Sequence, residues 1–286
     1  MEQYWLLITL LVTFSIGIVA FTNKIFAEKK YNPQLSAWVL YVYLFIITLI
    51  FWAIFGFSSL SEVWLYHSVL AIIWGFQFYL YSVVMIFALR YLPTSTYFLS
   101  IRLTSSFILL LIGLFIFWDI ITTREYIWFF IWAVAMLFLF ECERNSKFDY
   151  KKWIYFLWLW IFFVVIWHSI TKVLASNLEH ILILLLIAFF AASILSFTLG
   201  WKHITQNIWQ IKGIAQINLI QAFFYFIYFY FLFYVYHFGS LGISYNIQSY
   251  SPFIPIILAA IIYREHISLQ RGIGIFLSAL SLYFFI

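Results

Sequence analysis

Charge is what this chain has least of. Only 9% of its 286 residues are Asp, Glu, Lys or Arg, against about 25% in an average soluble domain. Apolar residues make up 66%, where about 45–50% is usual. A soluble fold has no interior large enough to hide so much apolar surface. A water-soluble enzyme, a disordered chain and a nucleic-acid module are therefore excluded. Cysteine occurs once, at Cys142, so no intrachain disulfide framework exists. The sequence contains no HExxH, GxxxxGK[ST] or GxSxG, and no Cys/His cluster with zinc spacing. Gly272-Ile273-Gly274 lacks the third glycine of a dinucleotide loop. No enzymatic activity, cofactor or metal is expected.

Long apolar runs are what it has instead. A bilayer core of about 30 Å is crossed by roughly 20 apolar residues in a helix. The polar breaks divide the chain into ten such segments, near 4–22, 36–57, 67–89, 94–117, 126–140, 153–171, 181–201, 215–238, 243–262 and 268–286. The runs do not alternate as barrel strands do. The first has no basic stretch before it, so it is expected to stay as a span and not to act as a signal peptide. Aromatic residues make up 25% of the chain. Because they are spread everywhere, they read as lipid-facing bulk and interfacial belts.

Lys and Arg cluster in alternate connections. The odd-numbered ones hold 12: Lys24, Lys29, Lys30, Arg90, Arg144, Lys147, Lys151, Lys152, Lys202, Lys212, Arg264 and Arg271. The even-numbered ones hold 2, Arg124 and Lys172, and Arg102 is inside a segment. Positive residues stay in the cytoplasm, so odd connections are expected there and both termini outside. Cys142 then faces a reducing compartment, consistent with a free thiol.

The chain also repeats itself. A shift of 146 residues places Asp119 on Glu265, Thr122 on Ser268, Ser105 on Ser251, Pro93 on Gly239 and Arg102 on Gln248. A shift of 148 places Asn23-Lys24-Ile25 on Thr171-Lys172-Val173. Two repeats are expected, over residues 1–142 and 143–286. Five spans is an odd number, so the second copy inserts upside down. The expectation is an all-α integral membrane protein of ten transmembrane helices, built as two inverted-topology five-helix repeats. Many secondary transporters have this architecture, with a site near the midplane and access alternating between the halves.

The stretches ALRYLPTSTYFLSIRLTSSFILLLIGLFIFWDIIT (88–122) and FGSLGISYNIQSYSPFIPIILAAIIYREHISLQRGIGI (238–275) share one plan. Each reads as a helix end, a turn, a helix entered by small polar residues, an acid, a hydroxyl three residues on, and a last helix. In this the chain resembles the drug/metabolite transporter superfamily, in its ten-helix form with two EamA-type repeats. The resemblance spans the whole chain. It implies the ten-helix fold and transport of a small molecule, since members move amino acids, metabolites, drugs and nucleotide sugars. It also implies both termini in the cytoplasm, opposite to the charge count.

Polar residues inside a span are functional candidates. Arg102 is the one formal charge well within a segment. Burying it costs about 2.5–3.5 kcal/mol on insertion scales, and its five donors suit carboxylate or phosphate. It reads either as the anchor of an anionic or zwitterionic substrate, or as a residue satisfied by carbonyls, Gln77 or tyrosines. The ninth segment carries Asn246, Gln248 and Ser249 before Pro252 and Pro255. A proline within a helix removes a hydrogen bond, so a break is expected that frees the carbonyls of Gln248 and Ser251. Gln77 and Tyr81 on the third segment, and Gln221 and Tyr225 on the eighth, complete the candidate substrate-binding set.

All ten carboxylates lie in connections or at helix ends, which disfavours proton-coupled export of cations and favours facilitative transport or exchange of like-charged solutes. Asp119 and Glu265 read as structural, near Thr122 and Ser268 as helix caps. Ala188, Ala192, Ser196 and Gly200 form a small-residue seam, either within the bundle or between protomers. A monomer and a homodimer both stay open. The expected function is a secondary transporter of a small organic solute. A flippase or scramblase for a phosphate-bearing lipid is the alternative. The expected lack of a targeting peptide and the short termini fit a multi-pass protein of a prokaryotic inner membrane.

Overall fold

In lipid every backbone polar group must be satisfied within the chain, which leaves continuous apolar runs the helix as their solution. The computed structural model describes residues 4–55, 63–91, 94–139, 150–262 and 268–285. Cys142, Arg144, Lys147, Arg264, Glu265 and the expected boundary at 142/143 lie outside the described residues. Among those described, eleven α-helices and two short 3-10 turns occur, and no strand. The helices are α1 (Trp5–Glu28), α2 (Pro33–Phe55), α3 (Leu65–Tyr91), α4 (Thr94–Phe115), α5 (Thr123–Leu139), α6 (Tyr150–Leu174), α7 (Ile181–Gln206), α8 (Ile211–Phe238), α9 (Leu241–Gln248), α10 (Phe253–Ile262) and α11 (Leu269–Phe285). Six of them, α1, α2, α3, α6, α7 and α8, are long and apolar enough to cross a membrane. The protein is therefore a multi-pass membrane protein. The expected count of ten spans is not reached by this measure, because α4 counts only over Arg102–Phe115, α5 and α11 have 17 residues each, and the ninth segment is two half-length helices.

Local chemistry sets the helix ends. Asn32 Oδ1 accepts from the backbone of Gln34 and Leu35, both at 3.0 Å, capping α2 just before Pro33 at its first position. Thr122 and Glu125 form a capping box at α5: Glu125 Oε2 accepts from the Thr122 amide at 2.6 Å, and Thr122 Oγ1 accepts from the Glu125 amide at 3.3 Å. Asp119 departs from expectation. It does not serve the helix that follows it. Its Oδ2 accepts from the Leu241 amide at 2.7 Å, at the start of α9. Lys172 Nζ donates to the carbonyls of Tyr236 (2.8 Å) and Gly239 (2.7 Å), ending α8.

Helix α1 packs on α8 as α6 packs on α3, and α2 packs on α8 as α7 packs on α3. Helix α1 meets α9 and α10 as α6 meets α4, and α1 meets α3 as α6 meets α8. The pairs α2 with α7, α4 with α9 and α5 with α11 each exchange into themselves. Swapping α1–α5 for α6–α11 thus maps this packing onto itself. Hydrogen bonds follow suit: Trp74 on α3 donates to Thr171 on α6 (2.8 Å), and Gln221 on α8 donates to Asn23 on α1 (2.8 Å).

The small-residue seam is internal to the bundle. Ala188, Ala192, Ser196 and Gly200 are all buried, and α7 lies on α2 and α3. A Cβ on Gly75 of α3 would stand 2.2 Å from the Ala188 carbonyl oxygen. The aromatic residues are corrected in part. Rings such as Phe130, Trp118 and Trp209 are exposed, but Trp74, Trp128, Trp132, Tyr225, Tyr228, Tyr236 and Tyr245 are among the largest fully buried side chains. Lipid tails are as apolar as the helix faces, so association relies on dense van der Waals packing, to which paired rings add about 0.5–1.5 kcal/mol each.

Candidate functional site

Helices α4, α6, α8 and α9 bring one polar cluster together inside the bundle. Arg102 enters from α4 and is 8% exposed, so it does not snorkel to an edge. Its guanidinium lies 5.4 Å from the ring centroid of Tyr245 on α9, a cation–π contact. Tyr81 of α3 and Tyr228 of α8 are within its electrostatic reach. The ion pair found among the described residues, Lys24 with Glu28 at 3.8 Å, is elsewhere. No carboxylate among the described residues pairs with Arg102.

Hydrogen bonds knit α8, α9 and α6 together beside it. Tyr228 Oη donates to Gln248 Oε1 at 3.2 Å, and Gln248 Nε2 donates to Tyr236 Oη at 3.5 Å. Tyr236 Oη in turn bonds Nδ1 of His168 on α6. The His168 ring meets the Tyr245 ring edge to face, centroids 4.6 Å apart. On the α4 side Ser106 and Ser249 bond through their hydroxyls at 2.7 Å. The helices approach closely here: a Cβ on Gly242 would sit 2.8 Å from the Cα of Leu110.

Several polar atoms in this region are buried and make no hydrogen bond among the described residues: both amide atoms of Asn246, Ser244 Oγ and Ser105 Oγ. An unpaired buried polar group costs about 1–3 kcal/mol, and such groups are uncommon in folded proteins. Asn246 stands at i+4 from Gly242 and three residues before Ser249, so it shares the face these turn to α4.

The helix break at the ninth segment occurs where the prolines place it, between Gln248 and Phe253. Its carbonyls are not free, contrary to expectation. Gln248 accepts from the Ser251 amide (2.9 Å) and Ser251 from the Ile254 amide (3.2 Å). Bonds from three residues ahead replace those the prolines cannot make, so the break offers side chains to a ligand and not backbone.

Of the candidates from sequence, Arg102, Tyr81, Asn246, Gln248 and Ser249 belong to this region, and Pro252 and Pro255 flank it. Arg102 and Gln248, paired by the internal repeat, meet in one cluster. The other candidates make contacts of their own. Gln77 donates to the Phe163 carbonyl at 2.9 Å while its Oε1 is buried with no partner among the described residues, and Gln221 donates to Asn23. Tyr225 stacks on Phe229, centroids 5.3 Å apart, within the aromatic core. Sequence reasoning overlooked His168 because it looked close to a helix end. Helix α6 continues to Leu174, and His168 is 1% exposed. Tyr236 and Ser106 had no distinguishing signal among so many tyrosines and serines.

Cavities of about 410, 330 and 170 Å³ are lined by apolar residues such as Leu137, Phe226 and Ile112, and none of their lining residues belongs to the polar cluster. No group of three or more His, Cys, Asp or Glu converges as a metal site among the described residues.

No family model matches the chain. No curated protein matches it either. Solved structures do. One, described only as a crystal structure of a protein, superposes with a TM-score of 0.72 at 15% identity, over 96% of this chain and 95% of that one. That likeness establishes a shared fold over 96% of the chain.

Proposed function

We propose that the protein is a secondary transporter of a small organic solute that is anionic or zwitterionic, with access alternating between two five-helix halves, 1–142 and 143–286. Arg102 carries this reading. It is a buried cation with an aromatic face below it, no carboxylate partner among the described residues, and the unpaired Asn246 amide on the adjoining helix. A carboxylate or phosphate supplies the missing negative charge and acceptors.

The exchange of packing between α1–α5 and α6–α11 supports ten spans in two inverted repeats, the ninth being α9 and α10 together. It agrees with membership of the drug/metabolite transporter superfamily in its EamA-type form. The cluster includes α4 and α9, a pair that exchanges into itself and so straddles the relation between the halves. This is where inverted-repeat transporters bind substrate. The distribution of Lys and Arg supports odd connections in the cytoplasm.

A thermal-shift panel on the purified protein and on Arg102→Ala tests the proposal. The ligands are amino acids, phosphorylated sugars, nucleotide sugars, cationic drugs and prenyl phosphates. A ligand at a hundredfold excess over its Kd stabilises the folded state by about 2.7 kcal/mol. Carboxylates or phosphates are expected to stabilise the wild type and leave Arg102→Ala unmoved. Equal shifts in both proteins, or stabilisation by cations alone, overturn the assignment. Stabilisation by prenyl phosphates alone replaces solute transport with lipid translocation.

A further inference from the structure

The internal repeat carries α4 onto the whole ninth segment. A shift of 146 residues moves 94–115 to 240–261, which is α9 and α10 taken together. Exchange of the halves therefore turns packing of α9 on the second half of α4 into packing of α10 on its first half. The structure holds one of these two arrangements. Helix α4 packs along α9, and no comparable packing joins α4 to α10 among the described residues. Helix α10 leans on α1 instead, where a Cβ on Gly17 would collide with Ile254. We propose that this crossing is a gate with two positions. Here it is shut at the end that holds few Lys or Arg, and Asp119 is its latch. In the other position α9 leaves α4 at that end while α10 closes on the first half of α4. This rests on the transporter reading.

The shut end is tight, and its bonds run between the two halves. A Cβ on Gly242 would sit 2.8 Å from Leu110 Cα, and a Cβ on Gly113 would sit 3.4 Å from the Gly242 amide nitrogen. Asp119 of the first half accepts from the Leu241 amide of the second at 2.7 Å. Trp5 of the first half donates to the Val235 carbonyl of the second at 3.0 Å, and its indole fills the space a Cβ on Gly239 would need. Leu109, Leu241 and Tyr245 are wholly buried beneath this seal.

Such a seal is suited to opening. Glycine faces bring backbones together with little apolar side-chain area between them, so parting them exposes little. The latch itself is polar. Asp119 precedes Ile120, which is 90% exposed, and Leu241 is the first residue of α9, so water at the membrane surface can satisfy both partners once they separate. The middle of the crossing behaves differently. Ser106 and Ser249 share a hydrogen bond at 2.7 Å. The repeat places Ser106 on Pro252 and Ser249 on Leu103, so this contact lies beside the point that exchange leaves in place. It can persist in both positions as a pivot. Arg102 and Gln248, which the repeat also pairs, flank it. The polar cluster thus sits at the fulcrum, where tilting α9 and α10 against α4 changes the end from which it is reached and not its composition.

The test reads access to the space beneath the seal. Cys142→Ser removes the native thiol, and Ser105→Cys places a new one on α4 at a wholly buried position beside Ser106. A membrane-impermeant methanethiosulfonate is applied to right-side-out and to inside-out vesicles, and the two labelling rates are compared. Asp119→Ala removes the latch, and Gly113→Ala displaces it. Each is expected to raise labelling from the Lys- and Arg-poor face at least about tenfold, the worth of one hydrogen bond to a charged group. Each is also expected to lower labelling from the opposite face. A rise from both faces shows an end that has only loosened and overturns the gate, as does an unchanged ratio of rates. Gly113→Ala keeps the carboxylate in the chain and decides alone where Asp119→Ala does not fold. Uptake of the carboxylates and phosphates of the panel separates the two readings. Arg102-dependent uptake with an unmoved ratio sinks the gate and leaves transport standing. A reciprocal change in labelling with no solute carried keeps the two-position crossing and sinks transport.

Discussion

Asp119 reaches across the molecule to the start of α9, and Gly113 makes room for it. The carboxylate accepts from the Leu241 amide at 2.7 Å, while a Cβ on Gly113 would lie 2.7 Å from that same oxygen. Asp119→Ala leaves the amide without its partner at a helix N-terminus. Lost caps cost about 0.5–2 kcal/mol, and hydrogen bonds to a charged group are worth about 1.5–3, so a loss near 2 kcal/mol is expected. Asp119→Asn keeps an acceptor but loses the charge that complements the helix dipole, worth about 0.3–1 kcal/mol. Gly113→Ala has two opposed effects. Alanine gains about 0.8–1 kcal/mol over glycine inside a helix, but its methyl displaces the carboxylate and forfeits the cap. The net result is a loss of about 1 kcal/mol in the wild-type background. With Asp119→Ala already present, only the gain remains and the sign reverses. The double-mutant cycle therefore closes with a coupling near 2 kcal/mol. Reversible unfolding in mixed micelles, followed by tryptophan fluorescence, measures all four corners. Additivity within about 0.5 kcal/mol refutes the cap.

Two further substitutions separate packing from binding. Asn246→Leu removes both unpaired buried amide atoms, so the ligand-free protein is expected to keep or gain thermal stability while affinity for a stabilising anion falls at least about tenfold, the trade that functional polar groups impose. A lower Tm with ligand response intact refutes the role of Asn246. Gly75→Ala forces a methyl against the Ala188 carbonyl oxygen. Overpacking of this kind costs about 1–3 kcal/mol, and here the obstacle is backbone, so a drop in Tm at the top of that range is expected; a neutral result refutes the close approach of α3 and α7.

Much of the fold is legible in the sequence because lipid imposes one rule on every span. Continuous apolar runs placed each helix within a few residues, and Pro252 and Pro255 located the break. What the break does was not legible. Whether a freed carbonyl stays free depends on the turn that replaces the helix, and here amides three residues ahead reclaim both. Arg102 stood out because a charge in an apolar run is rare. His168 did not, because its meaning rests on α6 extending past the apolar run and on Tyr245 arriving from α9. The roles of Gln77 and Gln221 were not legible, since polar side chains that join helices and those that meet ligands share the same composition. Asp119 was readable as structural beside the cap Thr122, but the helix whose start it serves is distant in sequence, and no local spacing points to Leu241.

Every residue of α9, from Leu241 to Gln248, is buried. Such a helix never touches lipid, and its sequence is released from the need to dissolve there. That is why it can carry Ser244, Tyr245, Asn246 and Gln248 in succession. The same freedom makes it a poor guest during biosynthesis. Eight residues make a rod of about 12 Å, too short to cross and too polar to partition on its own. It gains a home only once α4, α6 and α8 stand ready to receive it. The part of the bundle that depends most on its neighbours for a place in the membrane is thus the part that carries its buried polar cluster.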